Sequence, residues 1–138
     1  MTGGSLQFVD TNVLLYLLSA NRGKADRTEK LIASNTIVSV QVFSEFTAVA
    51  RRKLGLDWVE IDEILATIRE VCSVEPLTLE TYDCALRLAE RYGFSWYDAL
   101  IAASARSAGC TTLYSEDFQH GLAIDKKLKV VNPLNPTR

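Results

Sequence analysis

Leu6-Gln7-Phe8-Val9-Asp10-Thr11-Asn12-Val13-Leu14-Leu15-Tyr16 decides the architecture of this chain. Residues 6–9 form a short apolar run of the kind that makes a buried strand. The run stops at an acid and two small polar residues, and the apolar spacing then turns helical. Asp10 therefore falls where a strand hands over to a helix. In an open α/β sheet the carboxyl ends of the strands line the crevice that receives ligands, which gives an acid at this place a chemical address. Asp10 and Thr11 are also good helix N-caps, and taken alone that role explains them.

Downstream, Val13, Leu14, Leu17 and Leu18 share a helical face that Asn21-Arg22-Gly23 is expected to close, and a second helix is expected over residues 25–33. Arg27, Glu29 and Lys30 are its solvated face. Ile37, Val38 and Val40 predict the next strand. Val42, Phe43, Phe46, Val49, Ala50 and Leu54 mark a helix ending at Gly55, where Arg51, Arg52 and Lys53 suit the negative end of its dipole. Asp57 to Glu60 reads as a capping box before a stripe of Val59, Ile61, Ile64, Leu65 and Ile68. Pro76 cuts a short strand at 74–77 and places it at a sheet edge. The helix over residues 79–92 is expected to carry Tyr82, Ala85, Leu86 and Ala89 inward and to end at Gly93. Ser95 opens a close-packing helix that ends at Gly109, and strands follow at 111–114 and 128–131. The order β-α-α-β-α-α-β-α-α-β-β predicts the α/β class, a mostly parallel central sheet with helices on both faces. No repeat, low-complexity tract or linker divides the chain, so one domain over residues 1–138 is expected, with 1–5 as a flexible tail.

Composition narrows the partners. The 138 residues are 48% hydrophobic and 23% charged, enough for one compact core. A net charge of −2 and a pI near 5.4 supply no global basic field, so any RNA contact must use local patches. Cys72, Cys84 and Cys110 are odd in number, lack metal-type spacing and lie among apolar residues, which reads as reduced core thiols in a cytoplasmic protein. The longest apolar run, at 13–18, is far too short to span a bilayer, and residues 1–5 lack the basic start of an export signal.

Four acids share one rim of the expected sheet. Asp10 follows the first strand, Glu45 lies early in the helix after the second, Asp98 opens its helix, and Asp117 follows the strand at 111–114. Each has a local explanation as a cap, a solvated face or a turn. Together they would repel one another and raise their own pKa values unless a cation is present. An all-oxygen set without His or Cys suits Mg²⁺, with Mn²⁺ as substitute, rather than zinc. Such a site supports attack of a metal-activated water on a phosphodiester.

At this point the sequence resembles a known family. The segments Phe8 to Tyr16, Ser44-Glu45-Phe46, Tyr97-Asp98-Ala99-Leu100-Ile101-Ala102-Ala103 and Leu113 to Gly121 resemble the PIN-domain motifs in order and span nearly the whole chain. Among PIN domains the chain is most similar to VapC toxins, the Mg²⁺-dependent ribonucleases of type II toxin–antitoxin modules. The resemblance implies a PIN-like α/β/α sandwich in which Asp10, Glu45, Asp98 and Asp117 hold the metal and its waters. Ser115 would then be an outer ligand, and Thr11 and Asn12 would orient Asp10. It further implies an RNA substrate, a small cognate antitoxin and a homodimer. The apolar stripe from Val59 to Ile68 with Trp58 is the expected self-association face. A variable additional family acid has Glu116 and Asp125 as weak candidates, and the resemblance gives His120, the only histidine, no catalytic role.

Two other readings stand beside this one. Haloacid-dehalogenase-type phosphatases also place Asp after the first strand but resemble D-x-D-x-T, and here Asn12 occupies the second acid's position. A non-catalytic PIN-like module binding RNA or protein would be marked by loss of an acid, and all four are present.

Overall fold

The computed structural model describes residues 5–134; of the tail expected at 1–5, only Ser5 lies within the described residues. The elements in order are β1 (Gln7–Val9), α1 (Thr11–Leu14) with a 3₁₀ turn (Leu15–Leu18), α2 (Arg22–Ile32), β2 (Thr36–Ser39), α3 (Val40–Arg52), α4 (Trp58–Val71) and β3 (Ser73–Glu75). They continue as α5 (Leu79–Tyr92), α6 (Trp96–Ser107), β4 (Thr112–Tyr114), β5 (Ala123–Ile124) and β6 (Leu128–Val131). The sheet runs β3-β2-β1-β4-β6-β5, parallel throughout except for β5 against β6. This is the expected α/β fold with a mostly parallel sheet.

β1 is central because its residues can be buried on both faces. Phe8 and Val9 are fully buried, and Phe8 pairs with Ile37 of β2 on one side and Leu113 of β4 on the other. The chain winds one way from β1 through β2 to β3, then crosses to the opposite side for β4. The order thus reverses between β1 and β4, and a crevice opens at their carboxyl ends. The buried small residues Ala99, Ala102, Ala103 and Ala105 let α6 lie close to its neighbours. β3 lies at the sheet edge as expected, but it spans Ser73–Glu75 and ends before Pro76 instead of being cut by it.

Several local expectations are corrected. Asn21 does not close a helix: its side chain accepts from the Lys24 N–H and caps the start of α2, after the first helix has already tightened and stopped at Ser19. Val40 is not in a strand, because Ser39 accepts from the Val42 N–H and starts α3 one residue earlier. The buried stripe of α5 is Thr81, Ala85 and Leu88, leaving Tyr82 45% and Leu86 51% exposed. Thr81 is accommodated inside because its hydroxyl pairs with that of Thr78 at 3.0 Å. On α4 the Asp57–Glu60 capping box forms in full. Ile61 and Ile68 of its stripe are spent on the chain's own core, whereas Trp58 lies outside against the Arg51 guanidinium, 4.8 Å from the ring centre. The two-residue β5 was not foreseen; it is too short to carry a periodicity. Cys72 and Cys110 are buried, Cys84 half-buried and all three free. Burial pushes the Cys72 thiol up to about 11 and that of Cys110 to about 12. Among the described residues no helix is long and apolar enough to cross a membrane.

Candidate active site

Asp10 is both cap and buried acid. It is 3% exposed, and its Oδ1 accepts from the Thr11 N–H at 2.7 Å at the start of α1. Its own N–H donates to the Tyr114 carbonyl at 3.0 Å, which fastens the end of β1 to the end of β4. That juxtaposition brings in Ser115, fully buried, whose hydroxyl donates to Asp10 Oδ2 at 2.7 Å. The same Ser115 Oγ accepts from the Asp117 N–H at 3.0 Å and so shapes the loop that carries Asp117.

Glu45 joins from the other side. Thr11 Oγ1 donates to its Oε1 at 2.6 Å, and Gln41 Nε2 donates to its Oε2 at 3.1 Å. Gln41 Nε2 also donates to the Tyr97 carbonyl at 3.2 Å, next to Asp98 in the first turn of α6. Ser95 caps that helix by accepting from the Asp98 N–H at 3.3 Å. One polar chain therefore runs from the Asp117 backbone through Ser115, Asp10, Thr11, Glu45 and Gln41 to the residue before Asp98.

The electrostatics agree with this convergence. Burial chiefly, then the negative charges of Asp117 and Glu45, lift the Asp10 carboxyl to about 7 against the opposing hydrogen bonds from Ser115 and Thr11. Burial followed by the same two charges raises Asp98. Glu45 and Asp117 thus act on both of the other acids, although among the described residues no three Asp, Glu, His or Cys side chains are gathered tightly enough to complete a metal centre by themselves. The donor set is hard oxygen throughout, crowded with like charge, and fits a dication that retains part of its water shell.

Other residues go elsewhere. Asn12 Oδ1 accepts from the Glu116 N–H at 3.2 Å, so this side chain holds the loop after β4 instead of orienting Asp10. Glu116, raised by burial and by Asp117, accepts from the Tyr16 hydroxyl. Asp125 is bound by Arg87 at 2.8 Å and Arg106 at 3.1 Å, which hold its carboxyl down at about 2, and takes no part in the acidic chain of bonds. His120 Nδ1 accepts from the Asn132 N–H at 3.0 Å and ties its loop to the end of β6. Sequence reasoning missed Gln41, which is 9% exposed with its Oε1 buried and unpartnered. Its signal was present: a polar residue one turn before Glu45 and beside the buried Val42.

An α/β protein with carboxylates converging at the switch point of its sheet is the class that fold and site define. Within it the chain belongs to the PIN domain family, whose profile matches residues 8–122. No curated protein matches the chain. Among solved structures it is similar to Mycobacterium tuberculosis VapC20, a sarcin-ricin loop cleaving toxin, at 26% identity and TM-score 0.64, over 82% of this chain and 91% of that one. It shares its fold with FitAcB from Neisseria gonorrhoeae, at 19% identity and TM-score 0.68, over 94% and 99% of the two chains. A toxin-antitoxin complex from Klebsiella pneumoniae gives 18% identity and TM-score 0.68, over 94% and 98%.

Proposed function

We propose that this chain is a metal-dependent endoribonuclease and the toxin of a toxin–antitoxin pair acting in the cytoplasm. The observation that carries the reading is the buried Asp10, lifted toward neutrality in a rim shared with Glu45, Asp98 and Asp117. The similarity to VapC20, a sarcin-ricin loop cleaving toxin, supports RNA as the substrate class. Asp10, Glu45, Asp98 and Asp117 would hold Mg²⁺, or Mn²⁺ in its place, together with its waters. When bound, such an ion acidifies a water and offsets charge growing on the phosphodiester. The chain's own residues do the positioning: Ser115 and the Thr11 N–H fix both oxygens of Asp10, and Thr11 and Gln41 fix both oxygens of Glu45.

The partners belong to the same proposal. An apolar groove of about 390 Å³ between Leu17, Leu18, Ile32, Ile64, Ile68 and Val71 suits an amphipathic segment of an antitoxin. A homodimer would use the exposed Leu79, Tyr82 and Leu86 of α5; on α4, Ile61 and Ile68 are buried in the chain's own core while Trp58 and Val59 remain exposed. The deciding experiment is RNA cleavage by purified wild type, Asp10→Asn and Asp98→Asn, with Mg²⁺ and with chelator. Cleavage by wild type with metal alone supports the reading. Cleavage in excess chelator, or by Asp98→Asn, overturns it, and RNA binding without any cleavage selects the non-catalytic module.

A further inference from the structure

An acidic rim repels the strand it is meant to cut, so cations must hold the RNA nearby. Beside the rim lies a cavity of about 260 Å³, walled by Val13, Leu31, Tyr114 and Val131, with Tyr16, Lys24, Arg27, Thr28 and Asn132 also facing it. Two segments lead from it directly into the site. Tyr114 precedes Ser115, and Val13 N–H is bonded to the Asp10 carbonyl at 3.1 Å. Lys24 Nζ stands 5.1 Å over the Tyr16 ring, and among the described residues neither Lys24 nor Arg27 has a carboxylate partner. Asn132 spends its Oδ1 on the Leu134 N–H at 3.0 Å, and among the described residues its Nδ2 has no protein acceptor. The cavity is below the roughly 300–1,000 Å³ of drug-sized pockets and has the scale of a single nucleotide.

We propose that this cavity is a nucleotide subsite for single-stranded RNA flanking the cleaved bond. Lys24 and Arg27 meet the phosphate, the apolar walls take the base or ribose, and Asn132 Nδ2 donates to an acceptor on the base edge. The inference rests on the nuclease reading only for its account of why RNA comes to the rim.

The test measures binding apart from cleavage. A short fluorescein-labelled oligouridylate is titrated by anisotropy into Asp10→Asn protein, and into the same protein carrying Lys24→Ala with Arg27→Ala. The control pair, Arg22→Ala with Lys30→Ala, removes two cations from the same helix that do not line the cavity. The cavity pair should weaken binding about tenfold and flatten the salt slope by about one to one and a half, and the control pair should do less than half of that. In parallel, 5′-UMP and 5′-AMP are titrated into isotopically labelled full-length protein, and the amide signals of Thr28, Asn132 and Leu134 should shift. Equal losses for both pairs, or nucleotide shifts confined to Glu45 and Ser115 to Asp117, overturn the subsite. The two readings fail separately. Wild type that cuts RNA with metal while the cavity pair binds normally loses the subsite and keeps the nuclease. Wild type that never cuts while the cavity pair binds weakly keeps the subsite and loses the nuclease.

Discussion

The Ser115 hydroxyl donates to Oδ2 of Asp10 at 2.7 Å, although 105 positions separate the two residues in the chain. Parallel pairing of β1 with β4, with Val9 opposite Tyr114, sets the contact. A slip of one residue would turn Ser115 to the other face of the sheet and strand the carboxylate. The site is therefore a consequence of strand register as much as of residue identity.

Stability should report the acid directly. Burial lifts Asp10 to about 7 from 3.8, so between roughly pH 4 and 7 the folded chain holds a proton that the unfolded chain has released. Unfolding free energy of the metal-free protein should therefore fall as pH rises through that window, by about 4 kcal/mol at most. Asp10→Asn should remove Asp10's share of this slope, leaving the smaller part due to Asp98 and Glu116, and stabilise the protein at pH 8. Urea denaturation in chelator at pH 5 and pH 8 measures it, and identical slopes for wild type and variant would contradict the argument.

How much of this was legible beforehand depends on range. The sheet class and the acids were readable because strand-end motifs and helical periodicities are local. Gln41 was not: its position between Glu45 and the Tyr97 carbonyl exists only once α3 and α6 pack together. Asn21 misled for the opposite reason, since Asn serves both helix starts and stops and only the bond from the Lys24 N–H decides. Asp125 looked available because nothing in the sequence announces that Arg87 and Arg106 both reach it.

Gln41 makes the second prediction. Gln41→Leu leaves the helix intact and removes a buried unpaired acceptor, which offsets the loss of the Nε2 bonds to Glu45 and the Tyr97 carbonyl, so the melting temperature should change little. Glu45 would lose its donor at Oε2 and swing more freely. Metal affinity, followed by calorimetry, should drop about 10- to 100-fold, as when other supporting partners of metal ligands are removed. A lowered melting temperature with unchanged affinity would make Gln41 a packing residue only.

Asp125 should behave oppositely. Its carboxylate holds Arg87 and Arg106 together at a backbone position with φ of 54°, and the Tyr92 hydroxyl accepts from its N–H at 2.8 Å. Asp125→Ala should cost about 1–2 kcal/mol, because it strips charge-assisted bonds and places Ala in a left-handed conformation. RNA cleavage per folded molecule should stay near wild type. A catalytic loss without a stability loss would return Asp125 to the active site.

Self-association separates two helices. Leu86 is 51% exposed on α5, and Ile68 is 2% exposed on α4. Leu86→Asp should yield folded monomer in sedimentation, whereas Ile68→Asp should yield unfolded or insoluble protein, because it buries a charge in the core. Wild type that sediments as a monomer at micromolar concentration would remove the dimer.

The last prediction concerns the inhibitor. The rim of Asp10, Glu45, Asp98 and Asp117 is a concentration of negative charge in which Asp10 and Asp98 are raised first by burial and further by the charges of Glu45 and Asp117. An antitoxin can relieve that repulsion as a cation does, by inserting a basic side chain. Arginine suits the task better than lysine, because its planar fork can bridge two carboxylates at once. A peptide ending an antitoxin and carrying such an arginine should therefore suppress cleavage and compete with Mg²⁺ or Mn²⁺. By reciprocity, rising metal must weaken the peptide by the same factor as the peptide weakens metal. Rising salt should weaken the peptide further. An Arg→Lys change in the peptide should lose affinity, and Arg→Ala should abolish the competition with metal while leaving contacts in the apolar groove. Titrating the peptide at several metal concentrations measures this directly: an apparent affinity that ignores metal would place the arginine outside the acidic rim and leave obstruction of RNA as the mode of inhibition.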